Sequence, residues 1–497
     1  MRKKKIVFMT TLMACTFLFT SCSGMGAENM AGGYYEVGVP SVGGNEYTEI
    51  VENSFIETQE EPNSYFSIDA NTASYPNLRK LITNDNTIDK DAVRVEEMLN
   101  YFNYDYETPD NGEILALNAS LFDNPYNAET KLLTIGLAAT EVEFAEQRNN
   151  IVFLIDTSGS MSSADKLGLV QQAFMLLAEN LNDDDRVSIV TYAGGDTVAL
   201  EGAYGFEKKK ILAVIEDLMA AGSTAGSEGI ETAYDIAEKY FIEGGNNRVI
   251  LATDGDFNVG ITNENALKEF ISEKRESGVY FSVFGVGNGN LKADKMETLA
   301  LAGNGAYGYL DSIKEAKRAL VQEIGGAMLT VAKDVKAGVI FNPDYVEQYR
   351  LIGYENKLLT QEEFENDSTD AGELGSGHTV TVTYEIKLTD RKFVEGENLA
   401  QVTVKYKPTE NSGGLSDESK EILLDIATSV YHKEMTDTDA FVSSVIEFAL
   451  ILRDSQYKAD ATLQAVIDRL ENLNLSEDEF KEEFKEIVKL YQENKMK

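Results

Sequence analysis

Three short segments carry the residues best suited to chemistry. Asp156-Thr157-Ser158-Gly159-Ser160 directly follows the apolar run Ile151 to Ile155, Gly222-Ser223-Thr224 precedes a helical stretch, and Thr253-Asp254-Gly255 ends the apolar run Val249 to Ala252. A single Asp-x-Ser-x-Ser is a weak signal, because a carboxylate and hydroxyls placed there also cap a following helix. The other two segments change its meaning. Asp156, Ser158, Ser160, Thr224 and Asp254 form an all-oxygen set, which suits a hard divalent cation such as Mg²⁺, Mn²⁺ or Ca²⁺ and disfavours soft metals. With neutral hydroxyls in most of the direct positions, such an ion would stay electrophilic enough to accept an outside carboxylate.

Other chemistry is sparse. The two histidines, His378 and His432, lie far apart and leave little material for a His-rich zinc site or a Ser/His/Asp triad. His378 shares parity with Val380 and Val382 and reads as a strand-face residue. Both cysteines, Cys15 and Cys22, fall in the first 22 residues, so no disulfide braces the folded part. No nearby general base, second metal cluster or nucleophile elbow accompanies the aspartates, which argues against an enzyme. With 44 basic against 84 acidic residues, a formal charge of −40, the chain would repel polyphosphate, and nucleic-acid binding is excluded as a main role.

For three loops to converge, the apolar runs before them must lie side by side. Runs at Ile151 to Asp156, Val187 to Tyr192, Val249 to Thr253 and Tyr280 to Val286 alternate with amphipathic stretches at Leu167 to Leu181, Ile211 to Met219, Gly229 to Phe241 and Ala266 to Ser277. This predicts an α/β, doubly wound Rossmann-like domain over residues 149–326, with ligands at the carboxyl ends of its strands. Two-residue periodicity flanks it. Leu133, Ile135 and Leu137 alternate within 113–148, and Val331 to Phe341, Val380 to Ile386 and Ala400 to Tyr406 alternate within 327–410. These flanks are expected to join in one β-sandwich into which the α/β domain is inserted. Residues 64–112 read as helical, with Val95, Met98, Leu99 and Phe102 on one face of a segment capped by Asp89. Residues 411–497 also read as helical: Ile422, Leu423, Ile426 and Val430 share a face, and Thr436 to Asp439 and Ser476 to Glu479 look like capping boxes.

Residues 1–22 combine Arg2-Lys3-Lys4-Lys5, an apolar stretch from Ile6 to Phe19 and Thr20-Ser21-Cys22, the layout of a secretory signal. The apolar stretch is shorter than the ~20 residues that a membrane span needs. Phe19-Thr20-Ser21-Cys22 resembles a bacterial lipobox, which implies lipidation of Cys22 and an exported, membrane-anchored lipoprotein of the cell surface or envelope. Residues 23–63, acidic and Gly-rich, read as a flexible linker.

Asp156, Ser158, Ser160, Thr224 and Asp254, in this order on an alternating α/β domain, resemble the metal ion-dependent adhesion site (MIDAS) of von Willebrand factor type A (vWA) domains. The stretches Phe66 to Tyr75, Val93 to Phe102, Tyr349 to Asn356 and Leu450 to Tyr457 resemble bacterial YfbK-type A-domain lipoproteins. The resemblance implies that Ser158, Ser160 and Thr224 contact the ion through hydroxyls, and that Asp156 and Asp254 coordinate it largely through water. A protein ligand would then donate a Glu or Asp carboxylate to the open position. The implied function is adhesion or protein–protein interaction. An envelope assembly scaffold with metal-independent contacts and a metal-dependent hydrolase are the rival readings.

Overall fold

The computed structural model describes residues 45, 47–110, 112–142, 147–193, 195–222, 227–255, 264–287, 291–323, 328–409, 412 and 418–497. Ahead of the α/β region come β1 (Ile56–Glu57), β2 (Asn63–Ser67), α1 (Ser74–Thr83), α2 (Val95–Asn100), β3 (Leu115–Asp123) and β4 (Lys131–Ala139). The α/β region itself comprises β5 (Asn149–Asp156), α3 (Leu167–Glu179), β6 (Arg186–Tyr192), β7 (Asp196–Tyr204), α4 (Lys208–Glu216), α5 (Ser227–Lys239), β8 (Asn246–Thr253), α6 (Glu264–Arg275), β9 (Val279–Val286), α7 (Ala293–Ala302), β10 (Tyr307–Leu310) and α8 (Ile313–Lys317). After it follow β11 (Thr330–Phe341), β12 (Val346–Ile352), α9 (Gln361–Glu365), β13 (Gly372–Gly375), β14 (Thr379–Leu388), β15 (Asn398–Pro408) and β16 (Lys420–Ala427). Three helices close the chain: α10 (Asp437–Arg453), α11 (Leu463–Glu471) and α12 (Glu479–Lys495).

Every residue of β5 is buried, because helices cover both faces of its sheet. That explains why Ile151 to Ile155 is a continuous apolar run and does not alternate. Ile151, Phe153 and Ile155 pack under α3, with Phe153 stacked on Phe174 at 4.3 Å, while Val152 and Leu154 pack on the other face against Ile230, Ala233 and Tyr234 of α5. The strand order is β10-β9-β8-β5-β6-β7, parallel except for β7 at the edge. The chain leaves β5 towards β6 on one side and returns to β8 on the other. The crevice at the carboxyl end of β5 is therefore a topological switch point, where such sheets take their ligands.

The flanking strands form two further sheets. One has the order β1-β12-β14-β4-β3; the other has the order β13-β11-β15-β16, with β2 also paired to β11. β4, which precedes the α/β region, pairs antiparallel with β14, which follows it, in a register that sets Leu133 beside Tyr384 and Ile135 beside Val382. The inserted domain thus interrupts a single sandwich whose shared core includes Leu133, Val339, Val382 and Val402.

Four segments differ from the sequence expectation. Ile422, Leu423 and Ile426 do not share a helical face. They lie in β16, an edge strand paired with β15, and Ile422, Leu424 and Ile426 also fit a period of two, which decides once a sheet edge is available. The described part of the 23–63 linker is docked rather than free: Ile56 and Glu57 pair with β12, Asn53 donates to the carbonyls of Leu351 and Gly353, and Ile50 N donates to Asp91. These are backbone and amide bonds that hydropathy does not register. At the start of the 64–112 helical region, Ser64 to Ser67 belong to β2, while Asp89 caps only a short 3₁₀ turn at Lys90–Ala92. Thr436 and Asp439 do form a capping box on α10, but α12 is capped by Asp478 and not by Ser476.

The terminal helices pack with α1 and α2 around Phe102, Phe441, Phe448 and Phe484, and this core also takes in Phe122 and Leu132 from β3 and β4. Arg79 of α1 joins this assembly to the α/β domain. Its guanidinium grips Asp311 through two bonds (2.7 and 2.8 Å), reaches Glu315 of α8 at 2.8 Å and Glu483 of α12 at 2.6 Å, and bonds the Tyr101 hydroxyl. A bidentate arginine fork suits a buried multi-carboxylate joint better than a lysine could. A second buried joint sets Lys357 against Asp69 (3.3 Å) and Glu297 (2.5 Å), beside Glu97 and Arg94. Its three carboxylates already have cationic partners.

Candidate metal centre

Asp156 is the last residue of β5 and Thr253 the last of β8. These strands are parallel neighbours with Ile155 beside Ala252, so their ends coincide and Asp156 and Asp254 meet at one rim. Both aspartates are buried, at 0% and 2% exposure, as is Ser158 at 1%, whereas Ser160 lies open to solvent. The rim is thus a polar floor with an exposed lip.

Local chemistry fixes the floor. Asp156 Oδ1 accepts from Ser158 N at 2.9 Å, which turns the chain sharply after β5 and carries it into a short 3₁₀ turn at Gly159–Ser162. Asp156 Oδ2 accepts from the Thr253 hydroxyl at 3.2 Å, and the same hydroxyl accepts from Gly255 N. Burial pushes the Asp156 carboxyl above its ordinary value and the nearby Asp254 charge adds to this, while the hydrogen bonds from Ser158 and Thr253 offset part of the rise. Burial also raises the Tyr192 hydroxyl, and Asp156 adds to that shift.

The Ser158 and Ser160 hydroxyl oxygens lie 2.9 Å apart. Adjacent ligands of an octahedral ion with metal–oxygen distances of about 2.0–2.1 Å are separated by about 2.9 Å, so the pair matches a small divalent cation without rearrangement. Two buried carboxylates behind two hydroxyls form a donor set that fits such an ion. Ala221 and Gly222 reach the same rim: Ala221 N donates to Thr157 O at 2.8 Å and Gly159 N to Gly222 O at 3.2 Å. Thr224, like Cys22, lies outside the described residues.

Sequence reasoning missed two residues of the rim. Thr253 fixes Asp156 across the sheet, and a parallel register between the two runs was the signal available for it. Lys166, at the start of α3, places its ammonium 2.8 Å from Asp254 Oδ2 and 3.1 Å from Ser160 O, and no local pattern announces it.

Away from the rim, the fold brings Ser120, His432 and Asp439 together, although the sequence separates the serine widely from the other two. His432 Nε2 meets Ser120 Oγ at 3.1 Å and Asp439 Oδ2 at 3.0 Å, and Ser120 donates directly to Asp439 Oδ1 at 2.7 Å. A hydrolytic triad needs the serine and the aspartate on opposite ring nitrogens. Here both contact the same one, and Asp439 is engaged in capping α10. The cluster is structural. His378 lies just before β14, and burial pushes its ring down to about 4.

The family models that match the chain agree with this architecture. The family model "von Willebrand factor type A domain" matches residues 150–322, "Uncharacterized protein YfbK, C-terminal" matches 326–495, and "von Willebrand factor" matches 41–134. The uncharacterized protein YfbK of Escherichia coli (strain K12) is 41% identical over 384 residues, covering 76% of this chain and 66% of YfbK. Inter-alpha-trypsin inhibitor heavy chain H3 of Mesocricetus auratus is 26% identical over 192 residues, or 36% of this chain and 21% of that protein. Among solved structures, a von Willebrand factor type A protein from Catenulispora acidiphila aligns over 78% of this chain and 91% of its own, with 16% identity and a TM-score of 0.43.

Proposed function

Because the chain belongs to the YfbK-type vWA-domain proteins, we propose that its rim binds a protein ligand through a divalent cation, in a non-enzymatic adhesion or assembly role. The observation that carries this reading is the Ser158–Ser160 hydroxyl pair, 2.9 Å apart, standing in front of two buried aspartates on a solvent-facing lip. A divalent ion bound there would supply an electrophilic position able to take a carboxylate from outside. The chain's own residues do the rest. Ser158 and Ser160 present neutral oxygens and leave the positive charge largely uncancelled. Asp156, with an oxygen already committed to Ser158 N and another to Thr253, is suited to act through water. The exposure of Ser160 leaves room for a partner's Glu or Asp side chain.

Thr224 is assigned the third hydroxyl, Mg²⁺ is the preferred ion with Mn²⁺ or Ca²⁺ as substitutes, and Cys22 is assigned the lipid anchor that holds the folded part at the cell surface or envelope. The test is a thermal-shift titration of the protein lacking residues 1–22 with Mg²⁺ and Mn²⁺. At a concentration ~100 times Kd the folded state gains about 2.7 kcal/mol. For a domain of about 150–250 residues this raises Tm by about 5–10 °C. Asp254→Ala should abolish the rise. A flat response in the wild-type protein would turn the assignment to a scaffold with metal-independent contacts.

A further inference from the structure

Lys166 is held in place at the rim with unusual care. Its side chain is only 13% exposed, and its ammonium bridges Asp254 Oδ2, itself on a side chain 1% exposed, and the carbonyl of Ser160. The alkyl stem passes over Gly287, just beyond β9. A Cβ at that position would lie 2.4 Å from Lys166 Cε and 2.7 Å from Cγ, and Gly287 has φ +75°, so glycine both permits the turn and vacates the space for the lysine. The loop before it is pinned from outside the domain, with Lys80 of α1 paired to Asp165 at 3.0 Å. A buried carboxylate at a cation-binding rim therefore carries a tethered cation of its own.

We propose that Lys166 is a resident counter-ion that sets the metal affinity of the rim: its ammonium neutralises Asp254 when no metal is bound and opposes a divalent cation when one enters. This inference rests on the reading of the rim as a cation site. A fixed unit charge within several ångströms of a doubly charged ion weakens its binding by about tenfold or more, even at a water-like dielectric. The opposite role is physically distinct. A lysine that merely orients Asp254 would strengthen binding, as outer-shell partners of metal ligands commonly do.

The experiment measures Mg²⁺ and Mn²⁺ affinity by calorimetry, at one pH and ionic strength, for the wild-type protein, Lys166→Met, Lys166→Gln, Lys166→Arg and Asp254→Ala. Lys166→Met and Lys166→Gln should each bind at least about tenfold more tightly than wild type, and Lys166→Arg, which keeps the charge, should stay within about threefold. Glutamine retains a hydrogen-bond donor for Asp254, so it decides the question if the methionine variant folds poorly. Equal or weaker binding by Lys166→Gln, with wild-type binding lost in Asp254→Ala, would overturn the counter-ion role and leave the metal site standing. Absence of binding in all five proteins would overturn both.

Discussion

Arg79→Met tests the joint between the helical region and the vWA domain. Methionine replaces the aliphatic stem, so the change is chiefly the loss of one charge and five hydrogen bonds. The three carboxylates do not suffer equally. Glu315 keeps Arg318 at 2.7 Å, and Glu483, 27% exposed, keeps Lys314 at 3.0 Å and can rehydrate. Among the described residues, Asp311, 6% exposed, retains only the Ser312 hydroxyl of its side-chain bonds. Removing one partner of a buried ion pair costs about 3–5 kcal/mol, and with the penalty concentrated on one carboxylate the lower end applies. The pH dependence follows from the same group. Burial already holds Asp311 above its ordinary value, with Arg79 pulling it down. Without Arg79 its folded pKa rises further, so ionised Asp311 destabilises the variant above that pKa, and the penalty fades as pH falls towards the unfolded value of about 3.9. Urea unfolding at pH 7.5 should show a loss of about 3 kcal/mol, shrinking by about 1 kcal/mol or more at pH 5, and Arg79→Met combined with Asp311→Asn should recover most of it. A loss below about 1 kcal/mol at pH 7.5, or one unchanged by pH and unrescued by the second substitution, would refute the reasoning.

Two further outcomes are expected. Gly372→Ala places a Cβ 1.7 Å from the backbone oxygen of Ile68, a contact that no rotamer change relieves, and should lower stability by about 3 kcal/mol in denaturant unfolding. His378 should titrate near 4 in an NMR pH series; because its folded pKa lies below the unfolded value of about 6.5, stability should fall as pH drops from 6.5 to 4, and His378→Phe should remove that part of the slope.

The alternation of apolar runs with amphipathic stretches from Ile151 to Val286 contained the parallel sheet, because strands covered on both faces need unbroken apolar sequence and their helices need one apolar stripe. β7 and β10 were less legible. One is a half-exposed edge strand and the other only four residues long, so neither has a strong pattern of its own. β16 reads as a helix from sequence alone because Ile422, Leu423 and Ile426 satisfy a helical spacing as well as Ile422, Leu424 and Ile426 satisfy a strand's.

Features that covalent proximity enforces are legible along the chain: the Asp156-to-Ser160 turn, the carboxylates and hydroxyls at two strand ends, the acidic balance and the two-residue rhythm of the sandwich. Which charges face one another depends on how distant elements dock. Lys166 finds Asp254 across 88 residues, Arg79 finds Asp311 across 232, and His432 meets Ser120 across 312 in a geometry that serves helix capping and not hydrolysis. Hydrophobic period follows from burial one element at a time, and a reader of the chain can recover it. The pairing of a particular cation with a particular carboxylate depends on how whole elements dock, and no local spacing encodes that.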